Sequence, residues 1–444
     1  MIKLDLKLPE YILEIFQIFK DNNYPVYLVG GSIRDLLLNK EVKDYDFTTP
    51  IGFEKFKTIF KGCSFVRPNG AKHGTYTLRY KKHNIEITIF KHDDNEEKSL
   101  EVDSYHRDIT INSLMYDGEY LYDFRHGLDD LNNHIVSMGD NPLKIINEDP
   151  LRMLRAIRIM GELNFEIDEN TKKTILENYE LLNEVAKERI ISEVLRILLV
   201  DKVEEILLTY QDLFAFLFLP LKPTLNFDQN NRWHPHDLYN HTVHVVKNTM
   251  KDKNARFAAL LHDIGKVETV SQEYIEGVGY INHYYGHPAK SGELAKPLLN
   301  EYRFSNFDKD EILFLIINHD NKISLTTKSV KKVLAKIYNF NNDNPLDTLR
   351  KLLTIQLSDH LDHTWFTPIE IDETLKIAKT IIEERDAFTL KDLAINGTDL
   401  NKLGYEGKEI GDILKTLLNL VIEEDIKNNK EDLLNYVKEH YPLR

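Results

Sequence analysis

The period of the apolar pattern changes partway along the chain, and this change limits the fold more than any other feature. Up to about residue 130, short runs rich in β-branched and aromatic residues, such as Tyr27-Leu28-Val29, Tyr76-Thr77-Leu78 and Ile85 to Phe90, sit between turn residues and read as strands. From about Asn141 the strand signals fade and helical periodicities take over, beginning with Asp149 to Met160 and Lys187 to Val200. A chain of 444 residues exceeds one ordinary core. The expectation is therefore an α+β protein in four parts: a mixed head over residues 1–140, a helical neck and body over 141–230, a third region over 231–365 and a helical tail over 366–444. Pro220, Pro223 and Pro235, with the polar run Asn226 to Arg232 among them, set the expected boundary near residue 230.

Composition removes several classes of function. The first residues mix Lys3, Asp5, Lys7 and Glu10 with leucines, so no secretory signal is expected, and the longest apolar stretch, Leu213 to Leu221, is far short of the ~20 residues a bilayer needs. The single cysteine, Cys63, excludes an internal disulfide or a multi-thiolate zinc site and fits a reducing cytoplasm. A net charge of −15 argues against general nucleic-acid binding. The basic charge is local, however: residues 51–100 carry ten Lys or Arg against six Asp or Glu, and residues 101–150 carry three against eleven.

The segment Leu28-Val29-Gly30-Gly31-Ser32-Ile33-Arg34-Asp35 places two glycines where an apolar strand gives way to a helical run. Backbone N–H groups exposed at such a turn favour a polyphosphate, which Arg34 can grip with its fork of donors. By itself a Gly-Gly turn is usually only a turn. About ten residues later comes Asp44-Tyr45-Asp46-Phe47, where residues two apart on a strand point to the same side, so Asp44 and Asp46 converge into an oxygen-rich pocket suited to Mg²⁺. Two such ions activate a 3'-hydroxyl and neutralise a triphosphate during in-line displacement.

These residues resemble the class II tRNA nucleotidyltransferase and bacterial poly(A) polymerase family, whose head is similar to DNA polymerase β. The resemblance continues in order, with His106 to Tyr116 like the family's second motif and Asp123 to Leu131 like its third. It implies nucleotide binding by Gly30, Gly31, Ser32, Arg34, Arg107, Asp108 and Asn112, with Asp44 and Asp46 catalytic. Arg107 would pair with phosphate or ribose oxygens, and Asp108 and Asn112 would fix its surroundings.

Glu148-Asp149-Pro150 opens a helix that repeats arginine every three residues, and Arg152, Arg155 and Arg158 form a cationic stripe suited to RNA or triphosphate. In the family this segment reads the incoming base without a nucleic-acid template, and the matching positions are Asp149 and Arg152. A carboxylate accepts from the exocyclic amine shared by cytosine and adenine, and a guanidinium donates to neighbouring ring acceptors. Lys187 to Glu193 resembles the fifth motif, which implies that Arg189 and Glu193 brace the neck.

In the second half, His262-Asp263-Ile264-Gly265-Lys266 follows the apolar run Phe257 to Leu261. With His241 upstream and Asp359 downstream the order resembles the HD phosphohydrolase superfamily, and these N and O donors suit Mn²⁺, Ni²⁺, Fe²⁺ or Mg²⁺. His287 and His319 fall where dinuclear relatives place further ligands, while His234, His236 and His244 read as bystanders. The implied chemistry is hydrolysis of phosphomonoesters or 2',3'-cyclic phosphates, with Lys266 steadying developing charge.

The resemblance covers roughly residues 24–200 and 236–362 and departs at two places. The segment between Phe90 and His106, residues 91–105, is shorter than the loop that assists the switch from cytosine to adenosine addition in the family, and His106 replaces a customary arginine. The expected function is addition of CCA to the tRNA acceptor end from CTP and ATP. Its alternatives are addition of the two cytidines alone, a poly(A) polymerase, and an HD phosphohydrolase with an inactive head.

Overall fold

The computed structural model describes residues 1–66, 74–91, 99–230, 237–277, 279–360, 368–384 and 386–442. His234 and His236 lie outside the described residues, as do residues 92–98 of the short loop. The chain divides into two compact units, Met1–Lys202 and Val203–Arg444. The boundary expected near residue 230 therefore falls inside the second unit, where the Tyr239 hydroxyl donates to the Leu207 carbonyl across the intervening turns.

The first unit is built on eight strands: β1 (Ile2–Lys3), β2 (Tyr27–Val29), β3 (Asp46–Thr49), β4 (Ser64–Val66), β5 (Thr75–Tyr80), β6 (His83–Ile89), β7 (Met115–Tyr116) and β8 (Tyr120–Tyr122). Their order is β1-β8-β7-β2-β3-β6-β5-β4. Within this sheet, among the described residues, only the β3–β6 contact is parallel, with Asp46 opposite Glu86 and Phe47 opposite Ile87. Alternation then sorts the side chains: Leu28, Phe47, Ile85 and Ile87 enter an apolar core, leaving Asp46 and Glu86 for the other face. Helix Glu10–Asp21 closes that core with Ile12, Ile15 and Phe19, spaced for one helical face. The helical remainder of the unit centres on Arg152–Leu163, which is buried almost all round, packs against Lys187–Ile197, and stops where Asn164 takes a left-handed φ of 58°.

Among the described residues the second unit is helical except for one antiparallel hairpin, Ser271–Ile275 with Gly279–His283. This hairpin departs from the helical expectation because Gly277 and Gly279 take positive φ and reverse the chain. The apolar stretch at Leu213 forms the helix Gln211–Leu217, with Leu213, Phe214, Leu217, Phe218 and Leu221 buried. The tail has its own small core, including Leu400, Ile413, Leu417, Leu433 and Val437. Among the described residues, no helix is long and apolar enough to cross a membrane.

Candidate functional site

The first unit contains a cavity of about 610 Å³ lined by Gly30, Gly31, Asp46, Lys91, Arg107, Asp108, Asn112, Glu148, Asp149, Arg152 and Arg155, among others. Most of the head and neck residues singled out in the sequence therefore meet in one place. Gly30 takes φ 77° at the start of helix Gly31–Leu37, and a Cβ there would lie 3.5 Å from Asp46 Oδ2, so the turn brings bare backbone to the carboxylate. Ser32 turns back to the Val29 carbonyl (2.9 Å) and holds the turn itself. Arg34 donates to Asp35 (2.9 Å) and Asn112 (2.8 Å), tying the glycine turn to the second motif.

Asp46 opens β3, whereas Asp44 sits just ahead of the strand and is exposed. Burial, reinforced by Glu86 and Asp44, raises the Asp46 carboxyl to about 6 despite the opposing charges of Arg107 and Arg155. Among the described residues Asp44, Asp46 and Glu86 do not draw their oxygens together as a three-ligand group, and Asp44 is not among the residues that line the cavity, so the expected convergence of the two aspartates is not seen and Asp46 is the member of the pair that faces the cavity. Glu86, opposite Asp46 in the strand register, adds to the negative charge and was missed by the sequence reading. Its signal was a lone acid between the core positions Ile85 and Ile87.

The cationic wall is internally paired. Arg107 donates to the fully buried Asp103 (2.7 Å), and Arg155 grips Asp108 through Nε (2.8 Å) and Nη2 (2.7 Å). Burial works against the Asp108 charge, but Arg155 and Arg152 overcome it and hold the carboxyl well below its usual range. Lys91, also unforeseen, lines the cavity and donates its backbone N–H to Asp103 (2.7 Å). Arg125 of the third motif is buried and donates to the Arg107 (2.9 Å) and Met138 (2.5 Å) carbonyls, which braces the second motif from behind.

Asp149 and Arg152 both line the cavity, joined by the Arg152 N–H donating to the Asp149 carbonyl (3.0 Å), while their side chains turn to other partners. Asp149 accepts from Arg189 (2.6 Å), and Arg152 binds Glu148 (2.7 Å) and the Ile145 and His106 carbonyls. His106 itself contacts Glu148 (3.1 Å). Arg158 does not join the stripe at the cavity. It is buried against Glu193 (2.5 Å) and Glu162 (2.7 Å), because the drift of residues three apart carries it round to the neighbouring helix.

In the second unit five helices each deliver ligands to one point. His241 comes from Leu238–Asn248, His262 and Asp263 from the end of Lys253–Leu261, His287 from the start of His287–Glu301, His319 from the end of Asn306–Asn318 and Asp359 from the end of Pro345–Asp359. They form two overlapping groups, His241-His262-Asp263-Asp359 and Asp263-His287-His319, with donor atoms in each within 4.8 Å of one another. The Nδ1 atoms of His262, His287 and His319 contact the carbonyls of Ala259 (2.7 Å), Tyr284 (2.8 Å) and Ile316 (2.7 Å), which directs each Nε2 inward.

Among the described residues, His262 Nε2 and both Asp263 oxygens are buried without a hydrogen-bond partner, although Lys266 Nζ lies 2.7 Å from Asp263 as an ion pair. Burial opposes charge on His262, yet the Asp263 and Asp359 carboxylates outweigh it and raise the ring to about 10. Inward imidazoles and orphaned carboxylate oxygens fit two divalent ions sharing Asp263. Gly265 permits this closeness, since a Cβ there would meet the His287 carbonyl oxygen and Ser291 nitrogen at 2.6 Å. Gln229, fully buried and accepting from Lys266 (3.2 Å), was not foreseen, whereas His244 contacts Asn248 and belongs to neither ligand group.

Comparison with known proteins gives three matches to family models. Residues 26–137 match the poly(A) polymerase head domain, residues 164–225 a probable RNA and SrmB binding site of polymerase A, and residues 292–437 a putative second domain of tRNA nucleotidyltransferase. A CCA-adding enzyme of Lactobacillus helveticus is 37% identical over 209 residues, which are 44% of this chain and 51% of that protein. The chain thus spans about half the length of this relative. A CCA-adding enzyme of Staphylococcus epidermidis is 23% identical over 97% of each chain. The fold is shared with the Bacillus stearothermophilus CCA-adding enzyme in complex with CTP, at a TM-score of 0.71 and 21% identity over 97% of this chain and 98% of that one. It is also shared with the Thermotoga maritima CCA-adding enzyme complexed with tRNA, at 0.60 and 20% over 99% of each. With the glycine turn, the Asp46 strand and the arginine helix meeting at one cavity, three segments of the chain match models drawn from poly(A) polymerases and tRNA nucleotidyltransferases, and its fold is that of CCA-adding enzymes.

Proposed function

We propose that this chain transfers CMP and then AMP from CTP and ATP to the 3' end of tRNA, and that its second unit hydrolyses phosphomonoesters or 2',3'-cyclic phosphates. The observation that carries the first reading is the single cavity joining the Gly30-Gly31 turn, Asp46, Arg107 and the Asp149-Arg152 pair. The terminal 3'-hydroxyl oxygen bonds to the α-phosphorus while the bond to the β-phosphate oxygen breaks. Pyrophosphate leaves, and the hydroxyl proton passes to a carboxylate of Asp44, Asp46 or Glu86 or to water. Bound at those carboxylates, Mg²⁺ supplies charge neutralisation. The glycine turn offers backbone donors to the triphosphate, Arg107 and Asn112 hold the sugar and phosphate side, and Asp149 with Arg152 reads the base. Arg189 and Glu193 fix the orientation of that reader through Asp149 and Arg158. The relatives' names, together with the solved complexes with CTP and with tRNA, support CTP, ATP and the tRNA acceptor end as substrates.

The hydrolytic reading rests on the two ligand groups that share Asp263. Metal there supplies Lewis acidity, and Lys266 steadies charge on the departing oxygen. We propose the four-part division, 1–140 head, 141–230 neck and body, 231–365 HD region and 366–444 tail, on the motifs each part carries, with the second part running across the boundary of the two compact units at Lys202. Truncated tRNA incubated with CTP and ATP, followed by sequencing of the 3' ends, tests the main reading. CCA ends are expected, CC ends assign the cytidine-only alternative, long A tracts assign a poly(A) polymerase, and unextended ends refute transfer.

A further inference from the structure

The hairpin that interrupts the helical second unit runs directly into the metal-ligand cluster. In its register Tyr274 lies opposite Tyr280 and Gln272 opposite Asn282, so these four side chains share one face. Along the second strand and just beyond it, Tyr280, Asn282 and Tyr284 follow at intervals of two. They pass from open to closed surroundings: Tyr280 is 62% exposed, Asn282 6% and Tyr284 9%. At the inner end the Asn282 amide donates to the Tyr284 hydroxyl (3.4 Å), and Lys266 Nζ lies 5.5 Å from the centre of the Tyr284 ring while pairing with Asp263. At the outer end Tyr274 and Tyr280 meet edge to face at 5.3 Å, both largely in solvent. The strand is anchored, since Asn230 donates to the Tyr280 carbonyl (3.0 Å) and accepts from Asn282 N–H (3.3 Å).

Charge is sorted between the two faces. Gln272, Tyr274, Tyr280 and Asn282 carry no carboxylate, whereas Glu273 sits on the opposite face and contacts His283 (2.9 Å). Aromatic faces outside, amides between, and a lysine with metal ligands inside match a nucleotide chain taken end-on: base, then sugar and base edges, then phosphate. The stretch from Tyr280 to Tyr284 covers ~13 Å at ~3.3 Å per residue, more than a free mononucleotide would use.

We infer that the face bearing Tyr274 and Tyr280 is a base-stacking platform that delivers the 3' end of a single-stranded RNA, carrying a terminal or cyclic phosphate, to the Asp263 metal centre. This rests on the hydrolytic reading of that centre and names its substrate. A plain cross-strand tyrosine pair would also stabilise a hairpin, so the test uses valine, which keeps strand preference and removes the ring.

The full-length protein loaded with Mn²⁺ is given a short RNA that carries 5-bromouridine near a 3'-phosphate, and separately p-nitrophenyl phosphate. Irradiation is expected to cross-link Tyr274 or Tyr280. In Tyr274→Val/Tyr280→Val, KM for the RNA should rise about tenfold or more, with hydrolysis of p-nitrophenyl phosphate and the melting temperature unchanged. No cross-link at either tyrosine, together with an unchanged KM, overturns the platform. Cross-linking without hydrolysis of either compound by the parent protein overturns the hydrolytic reading and leaves the platform standing. An equal loss on both substrates assigns the tyrosines a structural role and overturns the inference.

Discussion

Single side chains decide the chemistry, and two of them carry unusual protonation. Asp46 binds its proton more tightly in the folded chain than in the unfolded one, because burial and the neighbouring acids lift it to about 6. A carboxyl raised on folding contributes stability that is fully present below its unfolded value and is lost as pH rises through the folded one. Without divalent metal, Asp46→Asn should therefore melt a few degrees above the parent at pH 8, and the difference should vanish near pH 4. A variant that melts lower at pH 8 would contradict the assignment of crowded charge. Transfer of CMP by Asp46→Asn should fall at least about a hundredfold.

His262 likewise binds its proton more tightly in the folded chain, since the neighbouring carboxylates raise its ring to about 10, and here the proton makes the group charged where metal would bind. Metal and proton compete for Nε2, so Mn²⁺ affinity at this centre should rise about tenfold per pH unit from 6 to 9. Calorimetry in buffers of differing ionisation enthalpy should show close to one proton released per ion at that ring, and affinity independent of pH would refute it.

Secondary-structure elements matter here for where they end. Four of the five ligand-bearing helices stop or start at their ligands, with His241 one turn inside the fifth, and the glycine of His262-Asp263-Ile264-Gly265 lets two of them touch backbone to backbone. Gly265→Ala must part them by several tenths of an ångström. A cost of about 1–3 kcal/mol follows, with a loss of metal first at the His287-His319 group. Thermal melting and metal titration read the two effects, and an unchanged melt would show that the contact is looser than described.

Much of this level could be read from sequence. Tyr27–Val29 and the runs around Tyr76 and Ile85 are strands and the run at Lys187 is a helix, as their apolar period indicates, whereas the arginine helix starts at Arg152 and not at Asp149, which is extended and caps the separate helix Pro142–Glu148. Partners distant in sequence escaped. Nothing near Asp103 announces that it also holds the Lys91 backbone, and the resemblance that has Glu193 brace the neck does not name Arg158 as its partner. Glu86 and Gln229 entered through strand register and tertiary packing, which no local pattern encodes.

Across the whole molecule, two compact units each hold one constellation: the nucleotide cavity within Met1–Lys202 and the His/Asp cluster within Val203–Arg444. The two activities should separate cleanly. Asp263→Ala should abolish phosphatase turnover and leave CMP incorporation within about twofold, and Asp46→Asn should do the reverse. Loss of both activities in either variant would show that the sites depend on each other.

The most direct trial is single-turnover incorporation of labelled CMP into tRNA lacking its 3' end, with the parent protein beside Asp46→Asn and with Mg²⁺ present. The parent should extend the RNA and release pyrophosphate in equal amount, while the variant leaves the RNA unextended. A parent protein inert toward that RNA, or a variant as fast as its parent, would contradict nucleotidyl transfer at the Asp46 cavity.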